Sequence, residues 1–591
     1  MGMIWEQSQK FLESRRGALI ALLAIFVLGV LGTVYLVDAN VYGPMHFNDE
    51  VRYWEIALNL SKGTFSFAEN TDYPPFYSVS LLPAFYFFSP FARYAAALWL
   101  NAIYVTSAII PAYLILRKFL NRRASLLAVI VLLCSPIQVV IPRVLISENT
   151  FYPLFMWAFL LAFTNLAPVE RKIHYLEDAA FGILLALLYA TRFIALALIP
   201  ALLLIWWLKP YGDEKPPLFL SWKKLLHLAV VLAPMLALVG MWFAQGLADG
   251  ASLKMMMGFS IADHPNPAQL GRRRLVMRMI FYLSYSVLIA APYLGLMLAS
   301  LAQFKLKKWR EDANRWWIAL GIIIFFFLLA CVRHSWRAAY NYPDPVKLQG
   351  RYIMYFGPLF LISAFIYFKA QALPKRTALF KGAIILLAGA LVIFSYAVLF
   401  EQFIFLKAEL GASVNSPYGS LMRTLKSGYV ALTLAGAAVS TLLIGRKRSL
   451  QIGIFSFLLI AFYLFGDARI YQRILTSRQL LNSHIHNLLE VIEPYIPEAE
   501  DRAAITLEIP SASESRVIRA WQQSLNFAGY TGNALIPSSE VDADPDLVFQ
   551  AEYAGRQFRL HQLTAEEYRQ SDAYKFSHSG YYYAFEEITQ D

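Results

Sequence analysis

Long apolar runs divided by short polar turns fill the first four-fifths of the chain, and the last fifth breaks the pattern. About thirteen runs approach the roughly 20 residues that carry a helix across a bilayer core. They are 18–37, 93–117, 124–141, 147–165, 178–190, 192–208, 225–246, 276–302, 314–332, 353–369, 381–402, 427–444 and 450–466. The pattern predicts a polytopic α-helical membrane protein, with a short pair of spans broken around Tyr189 to Arg192. The first run is long, lacks a small-x-small cleavage site and is followed by further spans, so it reads as retained rather than as a signal peptide.

Lys and Arg in the short loops set the orientation. With Lys10, Arg15 and Arg16 in the cytoplasm, every even-numbered junction also lands inside: Arg117/Lys118/Arg122/Arg123, Arg171/Lys172, Lys209/Lys215/Lys223/Lys224, Lys305/Lys307/Lys308/Arg310, Lys369/Lys375/Arg376 and Arg446/Lys447/Arg448. An odd number of spans leaves the C-terminal segment outside. The expected location is thus the cytoplasmic (inner) membrane.

The first outer loop, 38–92, carries its own helical pattern. Val51, Trp54 and Ala57/Leu58 recur at helical spacing from Asp49 to Leu60, which suits a helix lying in the interface. A second apolar piece, Phe76 to Phe88, follows Tyr73-Pro74-Pro75 and is too short to span. The two are expected to flank a cleft. Past Phe465 hydropathy falls. A helix over 470–495, a strand at Ala503–Ile509, a helix near Ser513–Phe527 and strands near Asp546–Tyr553 and Gln557–Leu563 predict a small extracytoplasmic α/β domain, 470–591, after a membrane unit, 1–469.

Composition narrows the chemistry. The chain is 58% hydrophobic with a formal net charge of +12. The topogenic loops account for most of that charge, so it calls for no nucleic acid. Cys134 and Cys331 fall inside spans and read as packing residues. No Gly-rich phosphate loop, G-x-S-x-G elbow or CxxC pair is present. His46, His264 and His334 match no compact metal motif, and Asp542-Ala543-Asp544 reads as a solvated loop.

Candidate chemistry gathers at the outer ends of the spans. Asp49 and Glu50 open the first-loop helix, where Asp49 shares a face with Arg52 and Tyr53. A carboxylate beside a cation stays ionised, as a general base must. The same acids equally fit a helix cap and an acidic first turn. Glu148 begins a span after the outer turn Pro142-Arg143-Val144-Leu145-Ile146-Ser147, where a Ser147/Glu148 cap is the alternative. Lys254, Arg272, Arg273, Arg274, Arg278, Arg333, Arg337, Lys347 and Arg351 run against the positive-inside trend. Such outer cations suit phosphate, in lipid head groups or a lipid-linked substrate.

Several short motifs together resemble the GT-C superfamily of membrane glycosyltransferases that use polyprenyl-phosphate sugars, in particular the branch of protein O-mannosyltransferases and lipid A aminoarabinose transferases. They are Asn48-Asp49-Glu50-Val51-Arg52-Tyr53, Tyr73-Pro74-Pro75-Phe76-Tyr77, Ser135-Pro136 with Ile146-Ser147-Glu148, Thr191-Arg192-Phe193 and Gln349-Gly350-Arg351-Tyr352. The resemblance covers roughly residues 15–470. It implies Asp49 as the acid that activates the acceptor, Glu50 at a neighbouring motif position, Glu148 as the second-loop acid, and Arg351 as the holder of the donor phosphate. Arg52, Tyr352, Arg272, Arg333 and Arg337 are the further candidates for that phosphate, and Tyr53, Tyr73 and His264 for the pocket of sugar and acceptor. The donor would be a polyprenyl-phosphate-linked sugar and the acceptor a hydroxyl on a protein, lipid or glycan. No cofactor is obligatory, no metal ligands are assigned, and a divalent metal is left open. Two departures leave the acceptor unread. Asp72-Tyr73-Pro74-Pro75 lacks the acidic-basic pair of the aminoarabinose transferases, and the middle domain of the protein mannosyltransferases is missing. A secondary transporter or flippase is the competing expectation, with Arg192 as its intramembrane charge. A non-catalytic subunit that binds through the outer tail is another.

Overall fold

The computed structural model describes residues 11–38, 48–66, 73–87, 90–166, 174–209, 221–258, 271–337, 350–369, 377–401, 417–425, 427–442, 448–492, 506–510, 533–538, 547–553, 556–570, 574–578 and 581–587. It is a helical membrane bundle, and each apolar run of the sequence lies on a helix. Seven helices are long and apolar enough to cross a membrane, from Arg15–Val37 to Ser449–Gln472. The number is eight if Arg122–Leu133 and Pro136–Arg143, bent by 44°, form one span. Ala195–Trp207, Phe356–Lys369 and Ser427–Val439 are shorter apolar helices.

Aromatic rings fill the centre. Phe159 and Phe163 stack at 6.0 Å, Trp316 meets both edge-on, and Tyr355 packs against Phe151, Phe155 and Phe327. The Trp316 indole donates to Ser363 Oγ at 2.8 Å, so its one polar atom is paired inside the apolar layer. Helices His174–Thr191 and Trp222–Ala248 approach closely at Gly182, where a Cβ would run into the Val231 carbonyl. Pro292 interrupts the run 276–302 as a 3₁₀ turn, Ala291–Tyr293, between Arg272–Ala290 and Leu294–Leu301.

Two pieces of the first loop are helical as the spacing predicts: Asn48–Lys62, and Phe76–Leu81 continued as a 3₁₀ turn, Leu82–Tyr86. The change of character near residue 470 falls inside one unbroken helix, Arg448–Ile492. That helix is about 68 Å long at 1.5 Å per residue, about twice the hydrocarbon core. It therefore runs well beyond its apolar part, Ser449–Gln472. A six-stranded sheet follows, β1 Thr506–Pro510, β2 Asn533–Ser538, β3 Leu547–Tyr553, β4 Arg556–Leu563, β5 Tyr574–His578 and β6 Tyr581–Glu587, in the order β2-β1-β3-β4-β6-β5. β1 and β2 run parallel, and the other neighbours are antiparallel. Strands β1, β3 and β4 lie where the sequence predicts them; β2, β5 and β6 are additional. The helix expected near Ser513–Phe527 lies outside the described residues.

Candidate active site

The site is built on a stretch of irregular backbone buried where spans meet. Pro136–Val140 passes into a 3₁₀ turn, Ile141–Arg143, and the chain turns extended at Val144 before Glu148 opens the helix to Phe163. Residues 141–150 are all buried. Bare amides and carbonyls there would each cost free energy unless paired. Side chains from a distant helix and from the helix that follows pair them. Asn101 Nδ2 donates to the carbonyls of Pro142 (3.4 Å) and Val144 (3.2 Å). Asn149 Nδ2 donates to those of Val144 and Ile146, both at 2.9 Å.

Glu50 ties the first-loop helix to this segment. Fully buried, its Oε1 accepts the Leu145 amide at 3.0 Å and the Tyr94 hydroxyl at 2.5 Å. Tyr53, one turn on, donates to Ser147 Oγ at 2.8 Å, and Ser78 Oγ donates to the Tyr53 carbonyl at 3.0 Å. The Ser147 hydroxyl thus serves Tyr53 and makes no side-chain cap on the helix that follows. These bonds carry Asp49, in the first turn of its helix, to the mouth of the Glu148 helix.

Two carboxylates and two guanidiniums meet there. Arg351 Nη1 lies 2.6 Å from Asp49 Oδ2, and its Nε lies 3.5 Å from Glu148 Oε1. Arg192 pairs with the same Glu148 oxygen. The Tyr73 hydroxyl donates to Asp49 Oδ1 at 2.8 Å. Exposure falls inward, from 20% at the Asp49 side chain to 14% at Arg351, 10% at Arg192 and 1% at Glu148. Balanced charge is what permits such burial, since an unpaired ion there would be very costly. Tyr352 presents its ring to both cations, 4.9 Å from the Arg192 guanidinium and 5.4 Å from that of Arg351, with His334 edge-on at 5.5 Å. Tyr53 stands edge-on between Tyr73 at 5.1 Å and Tyr77 at 5.0 Å.

Burial alone would raise the Asp49 carboxyl. The Arg351 charge and the bonds from Tyr73 and Arg351 more than reverse this, and hold it below the usual carboxylate range. Burial, joined by the Asp49 charge, pushes the Tyr73 hydroxyl up, so it stays a donor to Asp49.

The structure therefore brings together Asp49, Glu148, Arg351, Tyr352, Tyr53 and Tyr73. Glu50 sits behind them as a tie to the backbone. Arg52 turns to Glu55 at 3.1 Å. Arg272 and Arg333 are exposed, at the start of helix Arg272–Ala290 and near the end of helix Asp312–Arg337. The Arg337 side chain, His46, His264, Lys347, Gln349 and Asp542 to Asp544 lie outside the described residues. Arg192, to which the sequence reading gave no part in the site, is its fourth charge. The available signal was a lone cation in the break between two apolar helices, His174–Thr191 and Ala195–Trp207.

The bundle that carries this cluster has the fold of a solved membrane protein, ArnT. It superposes on the crystal structure of ArnT from Cupriavidus metallidurans bound to undecaprenyl phosphate, at a TM-score of 0.55 and 14% identity, covering 97% of this chain and 98% of that one. The apo state of the same protein gives 0.52 and 15%, covering 96% and 98%. At such identities the likeness is one of fold. No protein-family model and no curated protein matches the sequence.

Proposed function

We propose that this chain is an integral-membrane glycosyltransferase that moves a sugar from a polyprenyl-phosphate donor to a hydroxyl acceptor at the outer membrane face. The observation that carries this reading is the 2.6 Å pairing of Asp49 with Arg351, beside Glu148 and Arg192. A proton acceptor and two anion holders share one partly exposed cluster. The ArnT of like fold was crystallised with undecaprenyl phosphate, a lipid whose phosphate suits these arginines.

In the reaction, Arg351 and Arg192 take the donor phosphate, drawing Arg351 from Asp49. Asp49 accepts the proton of the acceptor hydroxyl as that oxygen bonds to the anomeric carbon. The bond from that carbon to the phosphate oxygen breaks, and the guanidiniums stabilise the charge left on the lipid phosphate. A single displacement inverts the anomeric centre. Tyr73 orients Asp49, Glu148 keeps Arg192 in place, and Tyr53 and Tyr73 wall the side toward sugar and acceptor. The departing lipid phosphate needs no obligatory metal in this scheme, and the flipped lipid donor needs no nucleotide site.

Proteoliposomes supplied with a labelled polyprenyl-phosphate sugar and membrane extract as acceptor test the proposal. Transfer is expected in the parent and a loss of about 10²–10⁴-fold in Asp49→Asn. Full transfer by that variant, or none by the parent across a panel of such donors, contradicts it.

A further inference from the structure

A second concavity lies on the lipid-facing flank of the bundle. Helices Ser427–Leu442 and Arg448–Ile492 leave between them, over the Ala291–Tyr293 turn, a cavity of about 480 Å³. Leu432, Val439, Leu458 and Phe465 wall it, all exposed, and Pro292 and Gly436 form its floor. The floor is tight: a Cβ on Gly436 would stand 3.2 Å from the Pro292 carbonyl oxygen.

The groove lies along the apolar span Ser449–Gln472, so it opens to hydrocarbon. Its lining offers water too few hydrogen-bond partners to hold it there. Left empty, it would forfeit the dispersion contacts of every side chain around it. A hydrocarbon chain meets both demands. One cation marks an end of the groove: Arg469, exposed, lies one helical turn beyond Phe465, its guanidinium 5.7 Å from that ring. An anionic phosphate fits beside it. The volume suits one acyl chain and is far short of a whole polyprenyl chain.

We propose that this groove binds an anionic glycerophospholipid, with one acyl chain between the two helices and the phosphate at Arg469. The site shares no residue with the Asp49 cluster, so it stands or falls apart from the glycosyltransferase reading.

The full chain, delipidated in nonionic detergent, is titrated with phosphatidylglycerol, phosphatidylcholine or undecaprenyl phosphate and followed by native mass spectrometry. Phosphatidylglycerol is expected to bind about tenfold more tightly than phosphatidylcholine, as one charge-assisted contact gives. Arg469→Glu should erase that preference. Ala461→Trp, which fills the groove from an exposed position on its lining, should lose phosphatidylglycerol while melting as the parent does. Equal binding of the two phospholipids by the parent overturns the proposal, and so does undiminished phosphatidylglycerol binding in Ala461→Trp. Undecaprenyl phosphate held more tightly than phosphatidylglycerol, and lost in Ala461→Trp, overturns it in favour of a polyprenyl occupant.

Discussion

Asp49 is pulled in two directions, and the balance makes a prediction. Its carboxyl is depressed because Arg351 and Tyr73 outweigh burial. A depressed group stays ionised as pH falls through the ordinary carboxylate range, so the acid limb of kcat/KM should lie below that range. The matching stability is present above the unfolded value and lost as pH falls through the folded one. Arg351→Ala removes the largest opposing cause and leaves burial in place. The acid limb of its residual activity should move up, toward the ordinary carboxylate range or above it. A pH–rate profile of both proteins checks this; an unmoved limb sets Arg351 aside as the cause. The sequence named Asp49 and Arg351, which the structure pairs, and set Arg52 beside Asp49, whereas the structure pairs it with Glu55. Arg52 stands three residues from both Asp49 and Glu55, and either pairing satisfies helical spacing. What decides is Arg351, about 300 residues away, which takes Asp49 and leaves Arg52 to Glu55. The pairing of Arg192 with Glu148 was unread for the same reason, since the two lie on different elements.

Among the elements, the interfacial helix was legible because Val51, Trp54 and Ala57 repeat at its own period, and all three are buried as that spacing requires. Irregular backbone has no period. The 141–147 stretch is held by Asn101, Asn149 and Glu50, two of them far off in sequence, and composition alone does not announce such bonds. Glu50 is accordingly expected to act by position. Glu50→Ala would strand the Leu145 amide and the Tyr94 hydroxyl, at a cost of about 1–3 kcal/mol. It should lower the melting temperature and reduce kcat more than it raises KM, whereas Glu50→Gln, which can still accept a bond, should recover most of both. A Glu50→Ala protein with parental melting and kcat would remove this role. In the tail, β3 and β4 were readable from their alternation; β2, with Pro537 inside it, and the nearly unbroken aromatic run of β6 were not.

For the molecule as a whole, the basic loops and the long Arg448–Ile492 helix make one topological claim. The first-loop helix and the sheet should share a compartment, opposite the Leu306–Lys308 turn. Thr64→Cys and Gln570→Cys, both exposed, should react with an impermeant maleimide from outside intact cells, and Lys308→Cys only after permeabilisation. Labelling of Lys308→Cys in intact cells would invert the orientation and move the proposed site to the cytoplasm. A transporter built on Arg192 would keep that charge at mid-membrane; instead it pairs with Glu148 in the same cluster as Asp49.

Donor binding tests the central claim most directly, because Asp49 and a lipid phosphate would compete for one guanidinium. Undecaprenyl phosphate titrated into parent, Arg351→Ala and Asp49→Asn proteins should bind about 10–100-fold more weakly to the arginine variant, the worth of one charged contact. It should bind the Asp49→Asn protein at least as tightly as the parent, since Arg351 is then released from its carboxylate. Parental affinity in Arg351→Ala, or a loss in Asp49→Asn as large as the one expected for the arginine, would contradict the account.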